Sequence, residues 1–266
     1  IPAWNKTNIV PEDFSFGEFQ ENFEHFEPYL ASAIKRFPIL ETAGIRKFFS
    51  GPESFTPDTN TLLGETPEVK NFFVCCGLNS IGIGSGGGVG KITAEWLMTG
   101  HINEDIFSYD IKRFQKFHSE LGFIKTRITE TLGDLYGMHW PFKQHKTSRN
   151  IKTLPYHDDL KSFGACFGVS GGYERPMWFA LDGEKREYEY SYNYQNWYPS
   201  AEFETSNTVK NIGLYDLTPF SKFEIRSDKA HKELQRICTA NIKNEIGKCT
   251  YTHMLNHDGG IECDLT

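Results

Sequence analysis

The sequence has 266 residues, of which 38% are hydrophobic and 15% aromatic, and its formal net charge is −7. This length allows one large domain or two small ones, with enough apolar residues to build their cores. The negative charge gives no electrostatic reason to expect a nucleic acid or an anionic membrane as a partner. No run of about 18 apolar residues occurs, so we expect no transmembrane helix and no membrane partner.

The six cysteines are scattered and form neither a CxxC pair nor a Cys/His spacing suited to zinc. We therefore expect no metal site, and we interpret the cysteines as small buried hydrophobic residues of a protein in a reducing compartment. The chain opens at Ile1 without a methionine and stops at Thr266 inside a predicted strand. We expect it to be an internal piece of a longer protein.

The first half of the chain predicts helices and strands around a run of glycines. Apolar residues at steps of three and four predict an amphipathic helix that Pro38 ends, and a continuous apolar run before Gly77 is typical of a strand buried on both faces. The predicted elements are a helix over 19–37, a strand over 44–51, a turn-rich loop over 53–61, a strand over 71–77, a glycine-rich loop from Gly77 to Gly90, and a helix over about 89–98 closed by Gly100.

The second half begins with a helical pattern in two pieces and then loses its periodicity over 138–195. The aromatic-polar alternation over 188–198 fits either an edge strand or a linker. The predicted elements are helices over 108–137 and 200–211, strands over 212–218 and 222–227, a helix over 228–241 with Asp228 as N-cap, and strands over 249–256 and 261–266 joined by a hairpin turn at 257–260.

The glycine-rich loop contains the pattern GxGxxG from Gly82 to Gly87, which suggests a dinucleotide-binding fingerprint. The loop is longer than the tight turn of that motif, and no acidic strand end follows at the expected distance. A P-loop is excluded because Ile92 stands where that motif needs Ser or Thr. Two interpretations stay open: contact of backbone N–H groups with a phosphate or a flavin edge, or a close-packed structural turn.

Segment 51–100 resembles the closing part of the FAD domain of the sarcosine and dimethylglycine dehydrogenases and of the related regulatory subunit of pyruvate dehydrogenase phosphatase. The residues that carry this resemblance are Ser54-Phe55-Thr56-Pro57-Asp58, Leu63-Gly64-Glu65, Asn79-Ser80, Gly86-Gly87-Gly88, Gly90 and Ala94-Glu95-Trp96. Segments 109–114, 140–160 and 171–180 resemble the middle domain of that family. Segments 212–225 and 253–265 resemble the opening of its aminomethyltransferase-type domain.

The resemblance implies an α/β and α+β multidomain fold. Residues 1–103 would be the C-terminal part of a FAD-dependent amine oxidoreductase domain, and residues 104–196 a middle linking domain. Residues 197–266 would be the N-terminal part of an aminomethyltransferase-like domain that binds folate.

The same resemblance implies the site residues. The flavin side would be lined by Gly77, Leu78, Asn79, Ser80, Ile81, Gly82, Ile83 and Gly84. Asp264 falls on the position of a carboxylate near the folate nitrogens, where it would activate an amine or iminium carbon. The alternative for Asp264 is a polar strand residue that faces solvent. Related oxidases carry a lysine over the flavin, and this sequence has Gly84 at that position.

The resemblance also implies a function for the whole protein. It would be a FAD-dependent dehydrogenase of a small N-methyl amine of the sarcosine or dimethylglycine type, with tetrahydrofolate as one-carbon acceptor and electron-transfer flavoprotein as electron acceptor. We expect these 266 residues alone to be inactive, and the protein to lie in the mitochondrial matrix if it is eukaryotic and otherwise in the cytoplasm. The alternative is a non-catalytic regulatory subunit of pyruvate dehydrogenase phosphatase. Asp264 and the glycine-rich loop favour the enzyme.

Overall fold

The computed structural model describes residue 4, residues 9–102 and residues 104–266. They divide into two compact units, Ile1–Gly213 (unit 1) and Leu214–Thr266 (unit 2). The helices are α1 (Phe23–Arg36), α2 (Gly82–Thr99), α3 (Leu121–Leu135), α4 (His157–Ser162), α5 (Tyr198–Lys210) and α6 (Ala230–Ile237). The strands are β1 (Leu62–Glu65), β2 (Phe73–Cys76), β3 (Ala165–Ser170), β4 (Tyr173–Phe179), β5 (Thr252–Leu255) and β6 (Ile261–Leu265).

The described strands form three antiparallel pairs, β1 with β2, β3 with β4, and β5 with β6. This combination of helices and sheets confirms the predicted fold class. The domain boundaries near 103 and 197 stay predictions, and residue 103 lies outside the described residues.

The first predicted helix is confirmed as α1. The side chain of Asn22 caps it by accepting a hydrogen bond from the His25 N–H at 2.9 Å, and Phe37 ends it before Pro38. The predicted strand over 44–51 is wrong. Its only pairing among the described residues is an isolated bridge between Phe19 and Ser50, and a single bridge does not make a ladder.

The β1–β2 pair lies under α2. Gly64 has φ 103°, and a Cβ there would lie 2.3 Å from the ring of Trp96, so β1 needs glycine where the indole packs. The ring of Phe73 meets the same indole edge-on at 5.7 Å. The predicted burial of 71–77 on both faces is wrong, because β2 has β1 as its one described neighbour and a two-stranded ribbon leaves Cys75 and Cys76 exposed.

Helix α2 begins at Gly82, so the predicted loop from Gly77 to Gly90 shrinks to the turn over 77–81. The later glycines of the run form the first two turns of the helix. Each costs up to about 1 kcal/mol of helix propensity, so the helix depends on the packing of its later residues, Val89 and Trp96. Gly100 closes α2 as predicted, with φ 75° and its N–H bonded to the Trp96 carbonyl at 2.9 Å.

The helical prediction over 108–137 is confirmed in part, by 3₁₀ turns at Ile111–Arg113 and Lys116–Ser119 and by α3. The next stretch, which showed no periodic pattern, contains α4 and the β3–β4 hairpin. Trp178 on β4 is only 1% exposed and lies in the core of unit 1. Of the two interpretations of 188–198, the edge strand is wrong, because Tyr188 stacks on Tyr190 at 5.7 Å and meets Trp197 at 5.2 Å without strand pairing.

The predicted helix over 200–211 is confirmed as α5 in unit 1. In unit 2, the helix predicted over 228–241 is confirmed in part as α6, but Lys229 and not Asp228 takes the N-cap position. The predicted β5–β6 hairpin is confirmed. Its turn is held by the Asn256 side chain, which accepts from the Gly260 N–H at 2.8 Å. The strands predicted over 212–218 and 222–227 are wrong, since neither segment pairs with another part of the chain that the structure describes.

The cysteine prediction holds for two of the six residues. All are free thiols, and Cys166 and Cys238 are buried. Burial raises the pKa of the Cys166 thiol to about 11. The prediction of burial is wrong for the four exposed cysteines, Cys75, Cys76, Cys249 and Cys263. Among the described residues, no helix is long and apolar enough to cross a bilayer.

Candidate functional site

The turn that joins β2 to α2 has left-handed backbone dihedral angles that most residue types adopt only with strain. Gly77, Asn79 and Ser80 all have positive φ, at 65°, 49° and 65°. A Cβ on Gly77 would lie 2.7 Å from the Thr56 methyl group, so both the dihedral and the space require glycine. Asn79 is one of the residue types that tolerates this region.

Asn79 ties the turn to the loop before β1. Its buried side chain accepts a hydrogen bond from the Thr56 N–H at 2.8 Å and donates one to the Gly77 carbonyl. The Thr56 hydroxyl in turn donates to the Asn60 carbonyl at 2.8 Å. The family-like residues Thr56 and Asn79, far apart in sequence, therefore form one network whose effect is to fix the turn.

An ion pair extends this network to the segment after α2. Arg113 donates through Nε to Asp58 Oδ2 at 2.6 Å and through Nη2 to Asp58 Oδ1 at 3.0 Å. The same Nη2 reaches the Asn60 carbonyl at 3.0 Å, and Nη1 reaches the Tyr109 carbonyl at 2.8 Å. The sequence interpretation named Asp58 but assigned no role to Arg113, whose segment is distant in the chain. With a further bond from Nη1 to the Asp110 carbonyl at 3.1 Å, the guanidinium bonds to one carboxylate and three carbonyls and so holds these loops together.

The first turn of α2 has unpaired backbone donors. Ile81 at the N-cap makes no side-chain cap, the first turn has no acidic residue, and the N–H groups of Gly82, Ile83 and Gly84 have no acceptor among the described residues. A Cβ on Gly84 would meet nothing within 4 Å. Ile81 and Ile83 are exposed on either side. This surface combines three donors, the positive end of a helix dipole and apolar flanks.

The predicted flavin-side residues therefore divide into two groups. Gly77 and Asn79 are used inside the protein, the half-buried Leu78 packs beside Gly82, and the Ser80 hydroxyl is bonded to Glu53. Gly82, Ile83 and Gly84 offer their N–H groups outward, and Ile81 and Ile83 offer their apolar side chains. Such a surface suits a planar, largely apolar ligand with an electron-rich edge.

Asp264 lies in unit 2 on β6, exposed and paired across the hairpin with His253. The Tyr251 hydroxyl donates to Asp264 Oδ2 at 3.1 Å, and the Tyr251 ring meets the His253 ring edge-on at 5.1 Å. The hydrogen bond to Asp264 raises the pKa of Tyr251. Sequence reasoning missed Tyr251 and His253, although their spacing of two residues places both on the face of Asp264.

A second group of chemically active side chains lies in unit 1. Ligand atoms of Glu130, Asp134 and His145 lie within 4.8 Å of one another, which could suit a cation. Burial alone would raise the pKa of Glu130, but hydrogen bonds from the N–H groups of Lys146 and Thr147 lower it overall. Asp134 pairs with the Lys143 ammonium at 2.6 Å. Both carboxylates thus bind the segment over 143–147 to α3.

Three family models match consecutive segments of the chain. The family model for the FAD dependent oxidoreductase matches residues 5–96, that for the FAD dependent oxidoreductase central domain matches 99–153, and that for the GCVT N-terminal domain matches 156–266. Together these matches cover nearly all of the sequence without overlap.

Curated relatives match the same span. The 4-methylaminobutanoate oxidase (formaldehyde-forming) of Paenarthrobacter nicotinovorans is 41% identical over 94% of this chain and 30% of its own length. The mitochondrial pyruvate dehydrogenase phosphatase regulatory subunit of Mus musculus is 35% identical over 93% of this chain and 29% of its own length. The mitochondrial sarcosine dehydrogenase of Homo sapiens is 34% identical over 97% of this chain and 31% of its own length. The chain therefore spans about 30% of the length of these relatives.

Proposed function

We propose that the whole protein oxidises a small N-methyl amine with FAD and passes the one-carbon unit to tetrahydrofolate. The reason is that the chain belongs to the family of FAD-dependent sarcosine and dimethylglycine dehydrogenases and their regulatory-subunit relative. The observation that carries this proposal is the uncapped start of α2. We expect from the family resemblance that the flavin ring lies at this position, where three backbone donors have no acceptor among the described residues.

The residues at the start of α2 fit a flavin ring. The N–H groups of Gly82, Ile83 and Gly84 would hold its electron-rich edge, and the Ile81 and Ile83 side chains would contact its apolar part. Glycine at 84 lets the ring approach the backbone, since no side chain stands between them. When bound, FAD supplies the hydride acceptor for the amine, while the chain binds and orients the ring.

The electron acceptor is proposed to be a protein, electron-transfer flavoprotein, and not oxygen. Reaction of a reduced flavin with oxygen is helped by a fixed cation beside the ring, and no basic residue occurs from Gly77 to Gly88. The next basic side chain, Lys91, is exposed and pairs with Glu95 at 3.6 Å. Two relatives are named oxidases, so oxygen as acceptor is the competing outcome.

Asp264 is proposed as the carboxylate that serves one-carbon transfer. Tyr251 fixes one of its oxygens by hydrogen bonding, which leaves the other to interact with an amine nitrogen of the folate. Tyr251 and His253 would then act as positioning residues on the same face of the hairpin. In this proposal residues 197–266 are the start of the folate-binding domain, and residues 1–103 and 104–196 are its flavin and middle neighbours.

A regulatory subunit is the second candidate, since the chain is 35% identical to one over 93% of its length. A protein of that kind would keep the turn and hairpin without using them for chemistry. Two of these relatives, the regulatory subunit and the sarcosine dehydrogenase, are named as mitochondrial, so we propose the mitochondrial matrix if this protein is eukaryotic and the cytoplasm otherwise.

The test uses the purified whole protein. We expect stoichiometric flavin absorbance, and bleaching of that absorbance when sarcosine, dimethylglycine or 4-methylaminobutanoate is added without oxygen. Methylene-tetrahydrofolate should replace free formaldehyde when tetrahydrofolate is present. A protein without flavin, or a flavin that none of these amines reduces, would favour the regulatory candidate. As a control, residues 1–266 alone should be colourless and inactive.

A further inference from the structure

A small pocket lies in unit 1, away from the start of α2. Its walls include Phe117, His118, Phe123, Arg127, Lys152 and Glu174, and its volume is about 30 Å³. That space holds about two water molecules or one carboxylate group. Neither the flavin-side residues nor Asp264 contribute to it.

Arg127 has a buried donor that lacks a partner. The residue is only 8% exposed, and its Nη2 donates to the Thr147 carbonyl at 2.7 Å. Its guanidinium lies 5.0 Å from the centre of the Phe123 ring. The Nε atom is buried and has no hydrogen-bond partner among the described residues. An unmade hydrogen bond on a buried charged group is costly. Because Arg127 lines the pocket, an acceptor bound there would be the nearest available partner for this atom.

The second cation of the pocket is Lys152. Its Nζ donates to the Gln115 side-chain oxygen at 2.9 Å and lies 4.0 Å over the Tyr173 ring. Both of these partners are neutral. An ammonium has two further donors, so the Lys152 head can donate a hydrogen bond to a ligand atom.

Among the described residues, the nearby carboxylates make no hydrogen bond to either cation. Glu174 receives Arg149 Nε at 2.6 Å, Arg149 Nη2 at 2.5 Å and the Asn150 N–H at 2.8 Å. Glu130, one turn along α3 from Arg127, is held by the backbone N–H groups of Lys146 and Thr147. The positive charge of Arg127 and Lys152 therefore faces a pocket whose one acidic residue is already paired.

We propose that this pocket binds one oxyanion group, a carboxylate or a phosphate of a small anion, with Arg127 Nε and Lys152 Nζ as its donors. A water molecule would satisfy Nε through a neutral acceptor, whereas Glu130 and Glu174 act on Arg127 only through space. An oxyanion supplies a charged acceptor to both cations, and charge-assisted bonds of this kind are the stronger ones. The aromatic walls strengthen the interaction by lowering the local dielectric.

The experiment measures the melting temperature of the whole protein as phosphate or acetate replaces chloride at constant ionic strength and pH 7. We expect a saturable rise with at least one of the two anions, because a ligand that binds only the folded state stabilises it. Comparison of the phosphate and acetate series decides which group the pocket takes. Loss of one charge-assisted hydrogen bond in Lys152→Gln should weaken the apparent affinity about tenfold.

The matched control is Lys125→Gln, which removes the same charge from an exposed position on α3 and should leave the affinity unchanged. Arg127→Gln should abolish the effect, and Lys152→Gln decides the question if that variant does not fold. Line broadening of the phosphorus NMR signal gives a readout that does not depend on stability, with acetate followed by its carbon signal. Absence of an anion-specific effect, or an equal effect in Lys152→Gln, would show that water fills the pocket.

Discussion

Replacing Glu174 by Gln tests how much the buried ion pair of β4 contributes to unit 1. The carboxylate is 2% exposed and accepts three hydrogen bonds, two from Arg149 and one from the Asn150 N–H. Glutamine keeps the shape and one acceptor oxygen but removes the charge, so the Arg149 guanidinium remains without its counter-ion. Removal of one partner of a buried pair costs about 3–5 kcal/mol.

We expect the lower end of that range, about 3 kcal/mol. Arg149 is 23% exposed and keeps hydrogen bonds to the carbonyls of His145 and Phe167, both at 3.0 Å. Its charge therefore remains partly solvated and hydrogen-bonded in the variant. For a unit of this size the loss corresponds to a fall of about 6–12 °C in melting temperature. All five tryptophans of the chain lie in unit 1, so tryptophan fluorescence in a urea titration follows the relevant transition.

The effect should depend on pH in a defined direction. Burial alone would raise the pKa of Glu174, but the hydrogen bonds from Arg149 and Asn150 outweigh it and lower the pKa overall. A carboxylate with a lowered folded-state pKa contributes stability above its unfolded pKa of about 4.3, and this contribution disappears as the pH falls through the folded value. The difference in the free energy of unfolding between the native protein and Glu174→Gln should therefore be largest at pH 7 and become smaller in acid.

The control is Glu189→Gln, which breaks the exposed Lys185–Glu189 pair of the same unit and should cost less than about 0.5 kcal/mol. The double variant Glu174→Gln/Arg149→Met should recover part of the loss, because no unpaired charge remains. Equal destabilisation by the two single variants, or a pH-independent difference, would refute the account of a buried charge pair.

Three further predictions concern the proposed flavin and folate sites. Gly77→Ala should destabilise unit 1 by about 1–3 kcal/mol in urea titration, since φ is positive and the new methyl would clash, whereas Gly86→Ala on open helix surface should be neutral or stabilising. Gly84→Lys, which meets no steric obstacle, should speed reoxidation of the amine-reduced whole protein by air in stopped-flow, and an unchanged rate would contradict the proposed role of a cation. Asp264→Asn should reduce folate-dependent methylene transfer but leave flavin reduction nearly intact, and equal loss of both activities would make Asp264 structural.

The structure explains why the glycine run misled motif reasoning. The pattern from Gly82 to Gly87 looks like a loop because glycine is the poorest helix former after proline. The residues that overturn this preference lie outside the run, on both sides of it: Trp96 packs on Gly64, and Phe73 packs on Trp96. Local propensity could not reveal these tertiary contacts.

Much of the molecule was determined by the sequence alone. Helix α1 follows from the spacing of its apolar residues, the end of α2 from Gly100, and the β5–β6 hairpin from its glycine turn, since each is specified by residues close in the chain. The ordered resemblance to three domains likewise needs no structure.

Tertiary structure alone decided what depends on residues distant in sequence. It joined Thr56 to Asn79 and Asp58 to Arg113, and it left residues 212–218 without a strand partner. It also placed Arg127 of α3 in one pocket with Lys152, which no spacing predicts. A hydrogen bond or a charge pair needs only closeness in space. Packing of the whole unit decides which residues distant in sequence become neighbours.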